Sequence, residues 1–561
     1  MAKYERKPVA APRLSGIALK AFISAAESPL AGPPLLTKLV KDSGIDGFRA
    51  ADPGSATPLQ VPLPFPDSLP VPVTPQELAK QAQAVKPTAK LPNAETAARF
   101  TEAYQSGATD PTRVVRALQG QIEKLDGGDE PMHFFIARKK EEALKAAEAS
   151  AERWRKGEPL SALDGVPVVV KDEIDLAGFP TTLGTSWRKQ VSATDSTVAA
   201  RLKAAGAVIL GKANMNEIGI NPIGLNPHHG VCRNPYDRHR ITGGSSSGSA
   251  ATVAAGIAPV SIGLDGGGSI RIPAALCGVA GLKATFGRIS ERGVPPLCWN
   301  PGHIGPIGLT VQDVATCYAL IAGPDEHEFV SQRQPPVNLG GFEQLDASGV
   351  RLGICWPYFE DADPLVVARC KAAVKALEAA GAKVVELPAP DLNTILWSHS
   401  IIILSEMADS MLPELVNGGS ARFALDSRIN LAIARNFKST DYVHAMRHRQ
   451  KLTLEYLSLM RDCDVVVTPT TATVAPPIPE DSLPDGDSNL PVVDGLMRFV
   501  RVGNLTGFPA LSVPVGEAEH GMPASLQLMG RPWEEHLLLR LGRVVEASVE
   551  RKQPAVHVSV L

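Results

Sequence analysis

Between Gly243 and Pro273 the sequence reads GGSSSGSAATVAAGIAPVSIGLDGGGSIRIP. Two glycine-flanked serine clusters bracket a run of small apolar residues, and this run constrains the fold more than any other segment. A membrane helix needs about 18 or more strongly apolar residues. The stretch from Ala250 to Leu264 is shorter and made mostly of Ala, Gly, Val and Ser. It reads instead as a helix over 250–255 and a strand over 259–264, both buried in a core. Small side chains of this kind let helices pack closely on sheets.

The same alternation extends on both sides. VPVVV (166–170) is a continuous apolar run, as a strand buried on both faces would be. STVAARLKAAG then reads as a helix ending in glycine and AVIL as a strand. In the second half RLGICW, AKVVEL, DVVVTPT, ALSVPVG and ASLQLMG read as strands, with helices at PLVVARCKAAVKALEAAG and 534–548. Repeated strand–helix units predict an α/β fold with helices on both faces of a sheet. Before them, AETAARFTEAY, TRVVRALQGQIEKL and RKKEEALKAAEASAERWRK have amphipathic helical spacing, and Asp110–Pro111 resembles an N-cap followed by Pro at the first helical position.

The N-terminal segment is different. GIALKAFISAAE (16–27) places Leu19, Phe22, Ile23 and Ala26 on one helical face. PPLLTKLVKDS (33–43) begins with prolines suited to a helix start and carries Leu35, Leu36, Leu39 and Val40 as a stripe. Residues 51–75 hold eight prolines, which predicts an extended tether. The organisation expected is thus a helical cap (1–50), a Pro-rich tether and lead-in (51–90) and one large domain (91–561).

Composition excludes some classes. With 44% hydrophobic and 20% charged residues and a net charge of −3, the chain lacks the basic surface of a nucleic-acid binder. Its seven cysteines include no CxxC pair, and no Cys–His spacing looks like a zinc site, so a reducing compartment is expected and no metal. The start, MAKYERKPVAAPRLSG, has no apolar core of a secretory signal. An intracellular protein, soluble or peripherally attached to membrane, is the expectation. GAVILGKA (206–213) nearly fits a phosphate-binding loop, but Ala213 replaces the hydroxyl residue and AVIL reads as strand.

The chemistry lies in three segments. Gly266, Gly267 and Gly268 precede Ser269, so a substrate can approach the backbone there and N–H groups can converge on a developing oxyanion. A bare glycine-rich turn is the competing reading. A serine nucleophile needs a base. His228 and His229 lie in the turn-like NPHHG, whereas Lys171 follows a buried strand, and burial disfavours a charged ammonium. Ser245 lies 24 positions before Ser269 and could relay a proton between lysine and nucleophile, since a hydroxyl both donates and accepts.

A lysine at a strand end, a GGSS-type loop and a GGS loop in this order resemble the amidase signature family, here as VPVVVKD, GGSSSGSAA and LDGGGSIRIPAALCGVAGLK. The likeness continues through KATFGRIS, DVVVTPTT, GNLTGFPALSVPVG and GMPASLQLMGRPW and spans about residues 90–550. It implies a large twisted mixed β-sheet flanked by helices, no cofactor, Ser269 as nucleophile, Lys171 as general base and Ser245 as bridge after a cis peptide bond. It also implies that Ser246 holds Lys171 or substrate, and that Gly266, Gly267, Gly268 and Ser269 supply the oxyanion N–H groups. Ser247 and Ala284 depart from the family's frequent glycine and proline.

Within the family the chain is similar to the plant-type fatty acid amide hydrolases, through MAKY, APRLSG, NPHHG, RNPYD, LMRFV and LQLMGRPW. That branch implies hydrolysis of fatty acid amides such as N-acylethanolamines. It also implies a homodimer and an N-terminal cap that lines an acyl channel and faces membrane. Leu19, Phe22, Ile23, Leu36 and Leu39 are the channel candidates, and an ordinary hairpin packed on the core is the alternative. An amidase for aryl or small amides, the amidase subunit of a tRNA-dependent amidotransferase and an inactive binding module complete the readings.

Overall fold

The computed structural model describes residues 4, 6, 12–483 and 485–561. Its strands are β1 (Leu14–Ser15), β2 (Phe135–Ala137), β3 (Pro167–Lys171), β4 (Val208–Ala213), β5 (Val260–Leu264), β6 (Ala280–Lys283) and β7 (Ile304–Gly308). There follow β8 (Arg351–Ile354), β9 (Lys383–Glu386), β10 (Val465–Pro469), β11 (Asp487–Ser488), β12 (Ala510–Glu517) and β13 (Pro523–Gly530). Eleven of them form one sheet in the order β2-β4-β3-β5-β7-β6-β12-β13-β10-β8-β9, and β1 pairs with β11 apart from it. The sheet is mixed: β3 runs parallel to both β4 and β5, while β5 with β7 and β12 with β13 are antiparallel.

The apolar runs explain the placement. All residues of β3, β5, β7 and β13 are buried, which requires cover on both faces. In the β3/β5 pair Val168 faces Val260 and Val170 faces Ile262. Because the two strands are parallel, their carboxyl ends, Lys171 and Leu264, emerge at the same edge of the sheet. In open α/β sheets that edge is where ligands bind.

The helices expected from about 92 to 156 form at Ala97–Ser106, Pro111–Asp126 and Lys140–Lys156, and the Asp110 carboxylate accepts the Arg113 N–H at 3.0 Å as an N-cap. Residues 51–74 contain no helix or strand, but the segment up to 90 is not all tether. Pro75–Ala84 is a helix, capped by the Thr74 hydroxyl, with Leu78, Ala79 and Ala82 buried. The Gln312 side chain donates to the carbonyls of Ala82, Gln83 and Val85 and ties this helix to the core. Thr74 before Pro75 carries its start signal.

The N-terminal cap comprises α1 (Gly16–Ala26), α2 (Gly32–Asp42) and a third helix, α3 (Ile45–Ala50), beyond the two expected. Leu19 and Ile23 are buried against Leu425 and Ile429 of the helix Leu425–Ala434. The Arg428 guanidinium grips the Glu27 carboxylate. Phe48 of α3 stacks edge-on against His444, and Arg49 makes a two-pronged contact with Asp441 at 2.8 and 2.7 Å. Leu19 and Ile23 therefore join the cap to the body rather than lining open space. Leu36 is buried too, whereas Phe22 and Leu39 stay half-buried.

The helix that receives α1 carries a titratable strain. Asp426 is buried, with Asn221 donating to one oxygen at 3.3 Å and no partner for the other among the described residues. Burial, and next the Glu217 carboxylate, push its carboxyl up to about 7. A group whose native pKa lies above its unfolded value, near 4, adds most stability at low pH and loses it as pH rises through the native value. Asp426→Asn should therefore gain stability relative to the parent as pH rises from about 4 to 8. Thermal denaturation across that range measures it, and parallel curves would refute it.

Candidate active site

Lys171 ends β3 with its side chain fully buried. Its Nζ donates to Ser245 Oγ at 2.8 Å and to the Leu264 carbonyl at 3.2 Å. The Glu173 carboxylate lies 2.6 Å away, itself buried.

Ser245 follows a cis Gly244–Ser245 peptide bond and precedes the helix Ser247–Ala254. Ser246 does not hold Lys171: its hydroxyl bonds the Leu264 N–H and C=O, both at 3.3 Å. It pins the end of β5 to the serine loop. The Ser246 N–H also donates to the Ser269 carbonyl at 3.3 Å, so the two serine loops are stitched together through the backbone. Among the described residues no hydrogen bond joins the Ser245 and Ser269 hydroxyls. Catalytic hydrogen bonds often tighten only around substrate.

The glycine loop leaves β5 at Asp265, whose carboxylate organises it. Asp265 accepts the N–H groups of Gly268 at 2.6 Å and Ile270 at 3.1 Å. It also takes a fork of two bonds from Arg271, each 3.0 Å, and one from Asn504 at 2.9 Å. Arg271 continues to Gln527 Oε1 at 2.7 Å and to the Val500 carbonyl at 2.9 Å. Burial pushes the Asp265 carboxyl up, yet Arg271 and Asn504 hold it well below the usual carboxylate range.

This wiring revises the donor set. The Gly268 N–H is used inside the loop, while those of Gly266, Gly267 and Ser269 have no partner among the described residues. Gly268 has φ of +113°, a region that favours glycine. A side chain at Gly267 would collide with His399 and Met497. Ser269 is 9% exposed, against 0% for Lys171 and 2% for Ser245, so it is the member that solvent and substrate reach. Next to the loop stand Cys298 and Ile403, each within reach of a Cβ at Gly266. Ile403 of the helix Leu392–Ser410 and Met497 of the helix Leu490–Met497 are thus apolar side chains next to the loop.

Other candidates resolve simply. His228 bonds Glu217 at 2.5 Å and His229 the Thr185 carbonyl at 3.0 Å, both outside the Lys171–Ser245–Ser269 group. Lys212 of the phosphate-loop look-alike lies in β4 and pairs with Asp172 at 3.2 Å. All seven cysteines are free and buried. Arg271, Asn504 and His399 were not found from sequence. His399 sits in the apolar run ILWSHSIII, where nothing marks it, although Arg271 follows the nucleophile by two positions.

A mixed α/β sheet that presents a buried lysine–serine pair beside a glycine-cradled serine defines a hydrolase of amide C–N bonds. The chain belongs to the Amidase family, whose model matches residues 113–539. It is 37% identical over 590 residues to the fatty acid amide hydrolase of Arabidopsis thaliana, covering 100% of this chain and 96% of that protein. It is 34% identical over 468 residues to a glutamyl-tRNA(Gln) amidotransferase subunit of Chloroflexus aggregans, covering 78% of this chain and 94% of that one. Among solved structures it is similar to a chain of an inhibitor-bound vestigial complex described as revealing the evolutionary origins of an s-triazine catabolic enzyme. That pair shares a TM-score of 0.73 and 32% identity over 80% of this chain and 97% of the other. Among the described residues no helix is long and apolar enough to cross a membrane.

Proposed function

We propose that this enzyme hydrolyses lipophilic amides, such as N-acylethanolamines, to free acid and amine through an acyl-enzyme on Ser269. The observation that carries the mechanism is the 2.8 Å contact of Lys171 Nζ with Ser245 Oγ at the sheet edge from which the Ser269 loop also departs. Ser269 Oγ attacks the amide carbon while its proton passes to Ser245 and the Ser245 proton to neutral Lys171. The carbonyl oxygen becomes an oxyanion facing the free N–H groups of Gly266, Gly267 and Ser269. The C–N bond then breaks, and the departing nitrogen takes the proton back through Ser245. Water attacks the acyl-enzyme by the same relay and releases the acid. Glu173 offsets the positive charge that Lys171 gains in each half-reaction.

Two observations support a lipophilic substrate. The match to the Arabidopsis fatty acid amide hydrolase runs through the whole chain, cap included, while the match to the amidotransferase component covers 78% of it. Half-buried Ile403 and Met497 offer an acyl chain an apolar wall beside the loop. Exposed Ile17 and Leu30 on the cap, at 87% and 90%, would suit peripheral contact with a membrane.

The test is a series of N-acylethanolamines of increasing acyl length, given to the purified chain without ATP or partner. Each methylene that enters an apolar wall contributes about 0.8 kcal/mol, so kcat/KM should climb roughly fourfold per carbon until the wall ends. A flat profile with better turnover of aryl amides would replace the lipid reading by a small-amide one. No hydrolysis by a chain whose Ser269 reacts with a fluorophosphonate would favour the amidotransferase reading.

A further inference from the structure

His399 touches the glycine loop at Gly266 and Gly267. It is 1% exposed on the helix Leu392–Ser410, and its Nε2 lies 2.9 Å from the Gly266 carbonyl oxygen. A carbonyl only accepts, so the imidazole carries its proton on Nε2 and donates it there. Burial, followed by the nearby Arg501 charge, pushes this imidazole down to about 4, so it is neutral at physiological pH.

The consequence follows from peptide geometry. The Gly266–Gly267 peptide is trans, so its C=O and its N–H point in opposite directions. Holding the Gly266 oxygen toward His399 turns the Gly267 N–H away from it, and that N–H has no partner among the described residues. The next N–H along, on Gly268, is drawn inward by Asp265 at 2.6 Å. The two peptide planes around Gly267 are thus held at both ends, one by a histidine and one by a carboxylate. A residue without a side chain cannot hold its own orientation, because glycine has the widest conformational freedom.

We propose that His399 is a positioning residue of the oxyanion hole: it fixes the Gly266–Gly267 peptide so that the Gly267 N–H is aimed at the substrate oxygen before the reaction begins. The bond also polarises that peptide and makes its N–H a better donor. The inference rests on the reading of Ser269 as the nucleophile of an amide hydrolysis. A donor aimed in advance acts on the charge that develops in the transition state, more than on the neutral substrate.

The test exploits side-chain reach. Gln places an amide nitrogen near the position of Nε2, whereas Asn places it near Nδ1, which does not face Gly266. His399→Asn should lower kcat by about tenfold to a hundredfold with KM nearly unchanged, and His399→Gln should recover most of the loss. A trifluoromethyl ketone, which forms a tetrahedral oxyanion adduct with serine, should lose affinity for His399→Asn in step with kcat. Fluorophosphonate labelling of the parent and of Ser269→Ala tests the nucleophile separately. Equal activities for the Asn and Gln variants would overturn the proposal, as would a loss in KM alone or an unchanged ketone affinity. If His399→Asn does not fold, a His399→Gln enzyme with parental pH profile and ketone affinity supports it, and one with a collapsed kcat removes it.

Discussion

Ser269→Ala should lower amide hydrolysis by at least about a thousandfold and abolish labelling by a fluorophosphonate, while the protein stays folded. Ser269 is buried to all but 9% and its hydroxyl makes no hydrogen bond among the described residues, so its removal costs chemistry and little else. Lys171→Ala should be nearly as damaging, and for two reasons. It removes the group that takes the proton through Ser245, and it leaves the buried Glu173 side chain without the Lys171 nitrogen 2.6 Å away. Ser245→Ala should cost less, because a water can bridge the gap to Ser269. Groups that act as one unit give non-additive losses, so Lys171→Ala/Ser269→Ala should be little worse than either change alone. Single-turnover rates on a long-chain amide, with circular dichroism as the control for folding, decide the matter. Multiplying effects in the double variant, or parental rates in Ser269→Ala, would sink the relay.

Lys171, Ser245 and Ser269 were legible because their surroundings are strong local signals. VPVVV and PVSIGL are apolar runs that read as buried strands, and two such strands packed in parallel deliver their carboxyl ends to one edge. What depended on rotation of single peptides was not legible. Whether the Gly268 N–H faces a substrate or Asp265 is decided by a carboxylate three residues earlier. Whether Ser246 meets Lys171 or the Leu264 backbone is decided by how closely the serine loop sits on β5. Partners far apart in the chain were equally hidden, since Asn504 meets Asp265 from 239 positions away. The cap shows the opposite case. Its two helices were readable from spacing, but the partner of their apolar faces was not. Leu19 and Ile23 show the same stripe whether it meets an acyl chain or the helix Leu425–Ala434.

The largest effect on folding should come from the ion pair behind the loop. Asp265 and Arg271 are both fully buried and bonded by two contacts of 3.0 Å. Arg271→Met would leave the carboxylate with N–H donors and Asn504 but no countercharge. Breaking a buried pair by removing one partner costs about 3–5 kcal/mol, because the survivor's desolvation is no longer offset. The loss should depend on pH in a definite direction. The native Asp265 carboxyl is held below its unfolded value, so it adds stability above about pH 4 and loses it on acidification. Arg271→Met forfeits that contribution, so parent and variant should differ most near neutrality and converge as pH falls. Asp265→Asn/Arg271→Met should regain stability over Arg271→Met alone, since neither charge is then stranded. Urea unfolding of the three proteins at neutral and acid pH measures all of this. A single variant within about 1 kcal/mol of the parent at neutral pH would mean that the hydrogen bonds from Gly268, Ile270 and Asn504 suffice, and that Arg271 is not what holds the loop.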